Sequence, residues 1–314
     1  MGSQIDALIE LLPEKETLLG SEHPQFADYL TAVGLSLYHE SRFAEAEPIL
    51  KRALDIRERI LAVDHEDVGE SLNNLALIYM AEGRYVEAEP LFSRALPIQE
   101  RKLGVEHLST AAGMLNLAEL YRMMGRYSQA EPLYKRAREI RERQLGATHM
   151  DVAQVLNSLG MLYFEQGRTS DAEPILRKVI EIQEKNLGTD HPSLANTLTN
   201  LAGLYADRDE FEKAETLHLR ALGIREKQLS SEHPKVAESL NNLGWLYHQN
   251  GNYTRAESLY ARAIEIWQNT LGPEHSNVAA CLENYADLLR KTNREIDAVA
   301  LEQRVYSIRN KAYT

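Results

Sequence analysis

Residues 66 to 82 place Val68, Leu72, Leu75, Ala76 and Tyr79 three and four positions apart, which gathers them into one apolar stripe on a helix. Residues 86 to 102 do the same with Ala88, Leu91, Ala95 and Ile98, and Leu103 extends the stripe. Gly83-Arg84-Tyr85 lies between them, and a glycine there suits the left-handed C-terminal position of a helix, so the two stretches form a tight hairpin. The pattern returns every 42 residues. His23, His65, His107, His149, His191, His233 and His275 keep that interval, as do Ala46, Ala88, Ala130, Ala172, Ala214, Ala256 and Ala298. Ile56, Ile98, Ile140, Ile182, Ile224, Ile266 and Ile308 form a third series. Three unbroken series of this kind specify an array of repeats, each burying its stripe against its neighbours rather than in one central core.

The punctuation repeats too. Gly125-Arg126-Tyr127, Gly167-Arg168-Thr169 and Gly251-Asn252-Tyr253 predict corners like the first, and Leu103-Gly104, Leu145-Gly146, Leu187-Gly188 and Leu271-Gly272 predict stops between repeats. Pro24, Pro192 and Pro234 follow their histidines, where a fixed φ and a missing N–H are tolerated at a helix start. Ser41, Asp209 and Asn293 stand where the corner glycine recurs, and Glu295 replaces the corner aromatic. Pro97, deep in a second helix, is expected to bend it, and Pro48, Pro90, Pro132 and Pro174 to loosen their first turns. Residues 4 to 19 match only the later half of a repeat and predict an N-terminal cap helix interrupted at Pro13.

Charge and composition narrow the classes of partner. A formal charge of −12 argues against a duplex nucleic-acid binder, which needs a basic face to neutralise phosphates. No apolar run approaches the roughly 20 residues that span a bilayer, so no membrane association is expected. Cys281 is the single cysteine, which precludes an internal disulfide, fits a reducing cytoplasmic setting and reads as a buried small hydrophobe. Met1-Gly2-Ser3 reads as an expression remnant, and Asp6 spoils a myristoylation signal.

The histidine series invites a metal reading, but helices stack roughly 8–10 Å apart while zinc ligands lie about 2 Å from the ion. Helix-start hydrogen bonding is the expectation instead. Glu47, Glu89, Glu131, Glu173, Glu215 and Glu257, together with Arg52, Arg94, Arg136, Arg220 and Arg262, read as solvated or inter-helix ion pairs rather than catalytic carboxylates. Cys281 and His275 fall on different helix faces, and no glycine-rich phosphate loop occurs. No enzyme, cofactor or metal is therefore expected.

The run Leu72-Asn73-Asn74-Leu75-Ala76-Leu77-Ile78-Tyr79, then Gly83-Arg84-Tyr85-Val86-Glu87-Ala88-Glu89-Pro90-Leu91, then Arg94-Ala95-Leu96, resembles a tetratricopeptide repeat (TPR). The 42-residue form with Leu-Gly-x-x-His-Pro between units is similar to that of kinesin light chain and nephrocystin-3. The resemblance implies an all-α fold, a right-handed α-solenoid superhelix of seven TPR hairpins with an N-terminal cap helix. Its units would be a cap over 1–22, repeats over 23–64, 65–106, 107–148, 149–190, 191–232 and 233–274, and an atypical last repeat over 275–314. The heptad coiled coil through which kinesin light chains join their motor does not occur here.

The resemblance further implies that the first helix of each repeat lines a concave groove that holds an extended peptide. Counting 100° per residue from the core stripe, the groove arc takes Asn73 and Leu77, then Leu115 and Arg122, then Asn157, Met161 and Phe164. Asn196 and Thr199 follow with Gly203, then Asn241, Trp245 and His248. Asparagine can donate to and accept from a peptide backbone, and the tryptophan, phenylalanine and methionine supply adaptable apolar contacts. A second series, Asn74, Asn116, Asn200, Asn242 and Asn284, points about 70° off that centre and is expected to bond across the seam. Arg122, with Arg290 and Lys291 at the far end, is outnumbered along the arc by Glu70, Glu119, Glu165, Asp207 and Glu238, so the expected ligand is a neutral or basic segment. The expected function is a protein-interaction scaffold or adaptor that binds a peptide of a partner protein. Two readings compete with it: a sensor or inhibitor module of a larger signalling or protease assembly, and a homo-oligomer joined through Leu289, Ile296, Val299 and Tyr306.

Overall fold

The computed structural model describes residues 4 to 311; the calls on Met1, Gly2 and Ser3 fall outside them. Every regular element among the described residues is an α-helix. Two short helices, α1 (Gln4–Glu10) and α2 (Leu12–Leu19), precede a run of pairs. These are α3 (Pro24–His39) with α4 (Phe43–Ile60), α5 (Glu66–Ala81) with α6 (Tyr85–Leu103), and α7 (Leu108–Met123) with α8 (Tyr127–Leu145). Then come α9 (Met150–Glu165) and α10 (Thr169–Leu187), α11 (Pro192–Ala206) and α12 (Phe211–Gln228), α13 (Pro234–Gln249) and α14 (Tyr253–Leu271), and α15 (Ser276–Lys291) and α16 (Glu295–Lys311). The chain forms two compact units, one through Leu162 and one from Tyr163 onward. Within each, a helix packs on its neighbours in the sequence, as an α-solenoid does.

Each histidine of the series starts a first helix. Its Nδ1 accepts the backbone N–H two residues on, from Gln25 at 3.3 Å in the first hairpin to Asn277 at 3.1 Å in the last. One of the free donors of the helix end is thereby satisfied. At the corners, Gly83 and Gly251 have φ of 74° and 75°, and Asp209 holds the same left-handed turn at φ 58° without being a glycine. An aspartate tolerates that region better than most side chains, so the fold keeps its corner where the sequence departs from pattern.

The core follows the columns. All seven alanines of the series are fully buried, because a methyl group is all that fits where the two helices of a hairpin approach most closely. The isoleucine series is buried beside them. In the first hairpin Phe26, Ala27, Leu30, Ala53 and Ile56 make a cluster on which Leu12 and Leu19 also pack. The cap is thus two short helices rather than one, held by Tyr29 Oη donating to Leu8 O at 3.0 Å and by Arg42 on Asp6 at 2.7 Å. Pro97 does not end its helix, since α6 runs on to Leu103 with Pro90 and Pro97 inside it. Cys281 is buried, and burial pushes its thiol up to about 12.

The carboxylate series forms the inter-helix ion pairs expected of it. Glu47, Glu89, Glu173 and Glu257 pair with Arg84, Arg126, Arg208 and Arg294 of the following corner at 2.6–2.7 Å, not with the arginines five residues along their own helices. Five residues is about 140° around a helix, which turns the two side chains apart. Arg94, Arg220 and Arg262 reach instead to Glu58, Glu184 and Glu226 of the preceding hairpin, at 2.6, 2.6 and 3.0 Å. Most of these pairs are open to solvent, so each is worth about 0–1 kcal/mol and they act as register marks between hairpins.

Candidate functional site

The first helix of each hairpin carries one face that the second helices do not cover. In the unit through Leu162, Asn73 and Leu77 on α5 and Asn157 and Met161 on α9 are half-buried. Leu115 is only 8% exposed, enclosed by neighbouring helices that an angular count along one helix cannot see. Asn116 Nδ2 donates to Asn73 Oδ1 at 2.9 Å, so the two asparagine series meet across the seam between α5 and α7.

Arg122 is consumed locally. Its Nε bonds Glu119 at 3.2 Å, its Nη2 reaches the same carboxylate, and Tyr134 Oη on α8 donates to Glu119 Oε2 at 2.6 Å. Burial opposes ionisation of Glu119, but the hydrogen bonds from Arg122, Tyr134 and Ser158 outweigh it and hold the carboxyl below the usual range. This corner of the face is a closed polar cluster.

In the unit from Tyr163, Phe164 on α9 and Thr199 on α11 are half-buried and Asn196 is exposed. Thr199 Oγ1 donates back to Ala195 O at 2.9 Å. Asn196 Oδ1 accepts from Arg225 Nη2 at 2.7 Å. Above Gly203 the surface is open, for a Cβ placed there would meet only Phe164 Cζ, 4.0 Å away. Next along, α13 presents Asn241, Trp245 and His248 on one face, spaced four and three apart. Trp245 is 36% exposed, whereas Trp267 is buried. Asn284 Nδ2 on α15 donates to Asn241 Oδ1 at 3.2 Å. His248 is 6% exposed, its Nε2 lying 3.7 Å from Asp287 Oδ2, and burial lowers its pKa, so it offers neither surface nor charge.

Sequence reading missed the residues that support this face from behind. Arg57, Arg141 and Arg225 are buried second-helix arginines that reach across the seam. Arg225 Nη1 binds Lys235 O at 3.1 Å and Ser239 Oγ at 2.8 Å, and Nη2 binds Glu238 at 3.1 Å. Arg57 repeats the arrangement with Asp67 O, Ser71 and Asp28. Arg141 binds Asp151 O at 2.8 Å and Gln154 at 2.9 Å. A signal existed: Arg57, Gln99, Arg141, Gln183 and Arg225 share one column of the 42-residue repeat, polar beside the apolar isoleucine column. Tyr134 and Tyr260 were also missed. They share a column, but Tyr260 Oη is buried with no hydrogen-bond partner, a condition that costs about 1–3 kcal/mol.

No three His, Cys, Asp or Glu side chains among the described residues come together to hold a metal ion, and no described helix is long and apolar enough to cross a membrane. What this face offers is hydrogen bonding, one open indole and unevenly distributed charge.

The tetratricopeptide repeat pattern matches six overlapping segments, residues 25–79, 67–143, 110–185, 151–227, 193–264 and 236–311. The chain belongs to the tetratricopeptide repeat family. Among solved structures, the TPR repeats here are similar to nearly identical TPR-like repeats of a Podosopora anserina chain described as a kinesin light chain, with 27% identity and a TM-score of 0.56. That match covers 66% of this chain and 98% of the other. BtubC (BKLC) from P. vanneervenii aligns at 24% identity and a TM-score of 0.58 over 78% of this chain and 92% of its own. The apo form of RapI aligns at 15% identity and a TM-score of 0.68 over 91% and 98%. The last two likenesses show the fold alone. A search of curated proteins found no match.

Proposed function

We propose that this TPR chain is a protein-interaction scaffold whose first-helix face holds an extended, neutral or basic peptide segment of a partner protein. The observation that carries the reading is Trp245, left 36% exposed on a face that also carries asparagines, while the other tryptophan is buried. An indole presented on rigid helices beside amide side chains suits an anchor in a sequence-tolerant site. Asn73 and Asn241 each accept from a seam asparagine through Oδ1, which orients the amide and leaves its N–H₂ group for a peptide carbonyl. Charge supports the preference against acidic ligands, because Arg122 is neutralised by Glu119. The test is a peptide array probed with the wild-type chain and with the triple variant Asn157→Ala, Asn241→Ala, Trp245→Ala. Selected peptides should lose most of their affinity for the variant, and unchanged binding would remove the groove from consideration.

The final hairpin favours a second reading, self-association. Tyr306 is 70% exposed although it occupies the column that Leu54, Leu96 and Ile264 bury in earlier hairpins. It borders a cavity of about 430 Å³ with Asp287, Arg290 and Val305. Ile296 and Val299 are exposed nearby, but Leu289, expected to join them, is buried under α16. Light scattering on the wild type and on Tyr306→Ser decides this, since a monomeric mass for both would end it.

A further inference from the structure

The unit from Tyr163 onward has an asymmetry of charge that the groove reading does not by itself require. Several arginines near its open face are already engaged. Arg225 holds Asn196 and Glu238, Arg208 holds Glu173 at 2.6 Å, and Arg290 holds Glu302 at 2.9 Å and Glu295 at 3.1 Å. Asp287 is different: its side chain is 59% exposed and its close counterpart is His248 at 3.7 Å, which burial keeps neutral. Arg290 stands one turn further along α15, paired with two other carboxylates but also within the field of Asp287, and the exposed Lys291 beside it acts on His248. Asp207, just past the end of α11, is a second exposed carboxylate of this unit.

Trp245 is exposed on the neighbouring α13. It shares a face of α13 with His248, three residues on, and the Asn284–Asn241 bond sets α15 directly alongside. An exposed indole face with a carboxylate beside it is the arrangement that receives a cation, by attraction to the ring quadrupole and by charge pairing at once. Behind α13, Tyr260 Oη is buried and unpartnered and lies within the field of Asp287. In repeat three the same column position, Tyr134, reaches the residue equivalent to Trp245 directly.

We propose that the Trp245–Asp287 corner is a specificity site of the groove and takes an arginine or lysine side chain of the partner's extended segment. The guanidinium or ammonium lies over the indole, and Asp287 pairs with it from the neighbouring helix. This rests on the groove reading and names the ligand chemistry that the groove selects.

The test uses the full chain carrying Trp267→Phe, which leaves Trp245 as the sole indole reporter. Short synthetic peptides of one common frame, differing only in a central Arg, Lys, Glu or Leu, are titrated and followed by Trp245 fluorescence and by anisotropy of a peptide label. The arginine and lysine peptides should bind about tenfold more tightly than the glutamate peptide and weaken as salt is raised. Asp287→Asn, an exposed substitution checked for folding by circular dichroism, should abolish that preference while leaving the leucine peptide unaffected. Equal or tighter binding of the glutamate peptide, or a preference untouched by Asp287→Asn, overturns the proposal. If peptides still bind in an Asn241- and Trp245-dependent way without favouring a base, the groove stands and this site falls. If none of the four binds, and the array also yields no peptide, both fall.

Discussion

Repeats three and six share one backbone frame and use it in opposite ways. In repeat three, Glu119 on α7 is closed over by Arg122 and by the hydroxyl of Tyr134. In repeat six the same three positions carry Trp245, His248 and Tyr260: an exposed indole, a buried neutral imidazole and a phenol without a partner. The first corner satisfies itself; the second encloses its imidazole and phenol and leaves only the indole open. The contrast teaches that near-identical hairpins can close the same corner with a polar cluster or leave an aromatic side chain at the surface there.

That comparison can be broken in four places. The largest effects should come from the shared frame, where Ala130→Leu and Ala256→Leu each force a larger side chain between packed helices. Both should lose about 2–3 kcal/mol in urea unfolding; a marked difference between them would show that the two frames are not equivalent. Next is the ion cluster. Arg122→Leu strands a largely enclosed carboxylate and should cost about 2 kcal/mol, the full buried-pair penalty being reduced by residual solvent access, whereas His248→Leu should be close to neutral.

The acid limb separates the same two corners. Glu119 has its folded pKa depressed, so its stabilising contribution is present above the unfolded carboxylate value of about 4.3 and is lost as pH falls through the lower folded value. Glu119→Gln should therefore flatten the loss of stability on acidification below that range, measured by chemical denaturation across pH. No comparable change is expected from Trp245→Phe. The smallest effects belong to the phenols: Tyr134→Phe should destabilise by about 1 kcal/mol, while Tyr260→Phe, which removes a buried hydroxyl with nothing to bond, should be neutral or slightly stabilising.

Local regularities were legible without coordinates. The histidine column starts helices, the alanine and isoleucine columns are core, and the corner keeps its left-handed turn even at Asp209. These follow from interactions within a few residues, or from a column whose size is constrained identically in each repeat. Partner choice was not legible. Glu47 pairs with Arg84 of the next hairpin, Leu115 and His248 are enclosed, and Asn241 shares its amide with Asn284. A count of 100° per residue gives a side chain's direction from its own axis and says nothing of what the neighbouring helix brings to meet it.

The sequence by itself determined the repeat, its hairpins and the columns that bury, because periodic patterning and capping act over short range. Only the tertiary structure decided which groove residues remain open. That depends on whether Glu119 or Trp245 finds a partner on the adjacent helix, and such long-range pairing arises only once the hairpins have stacked.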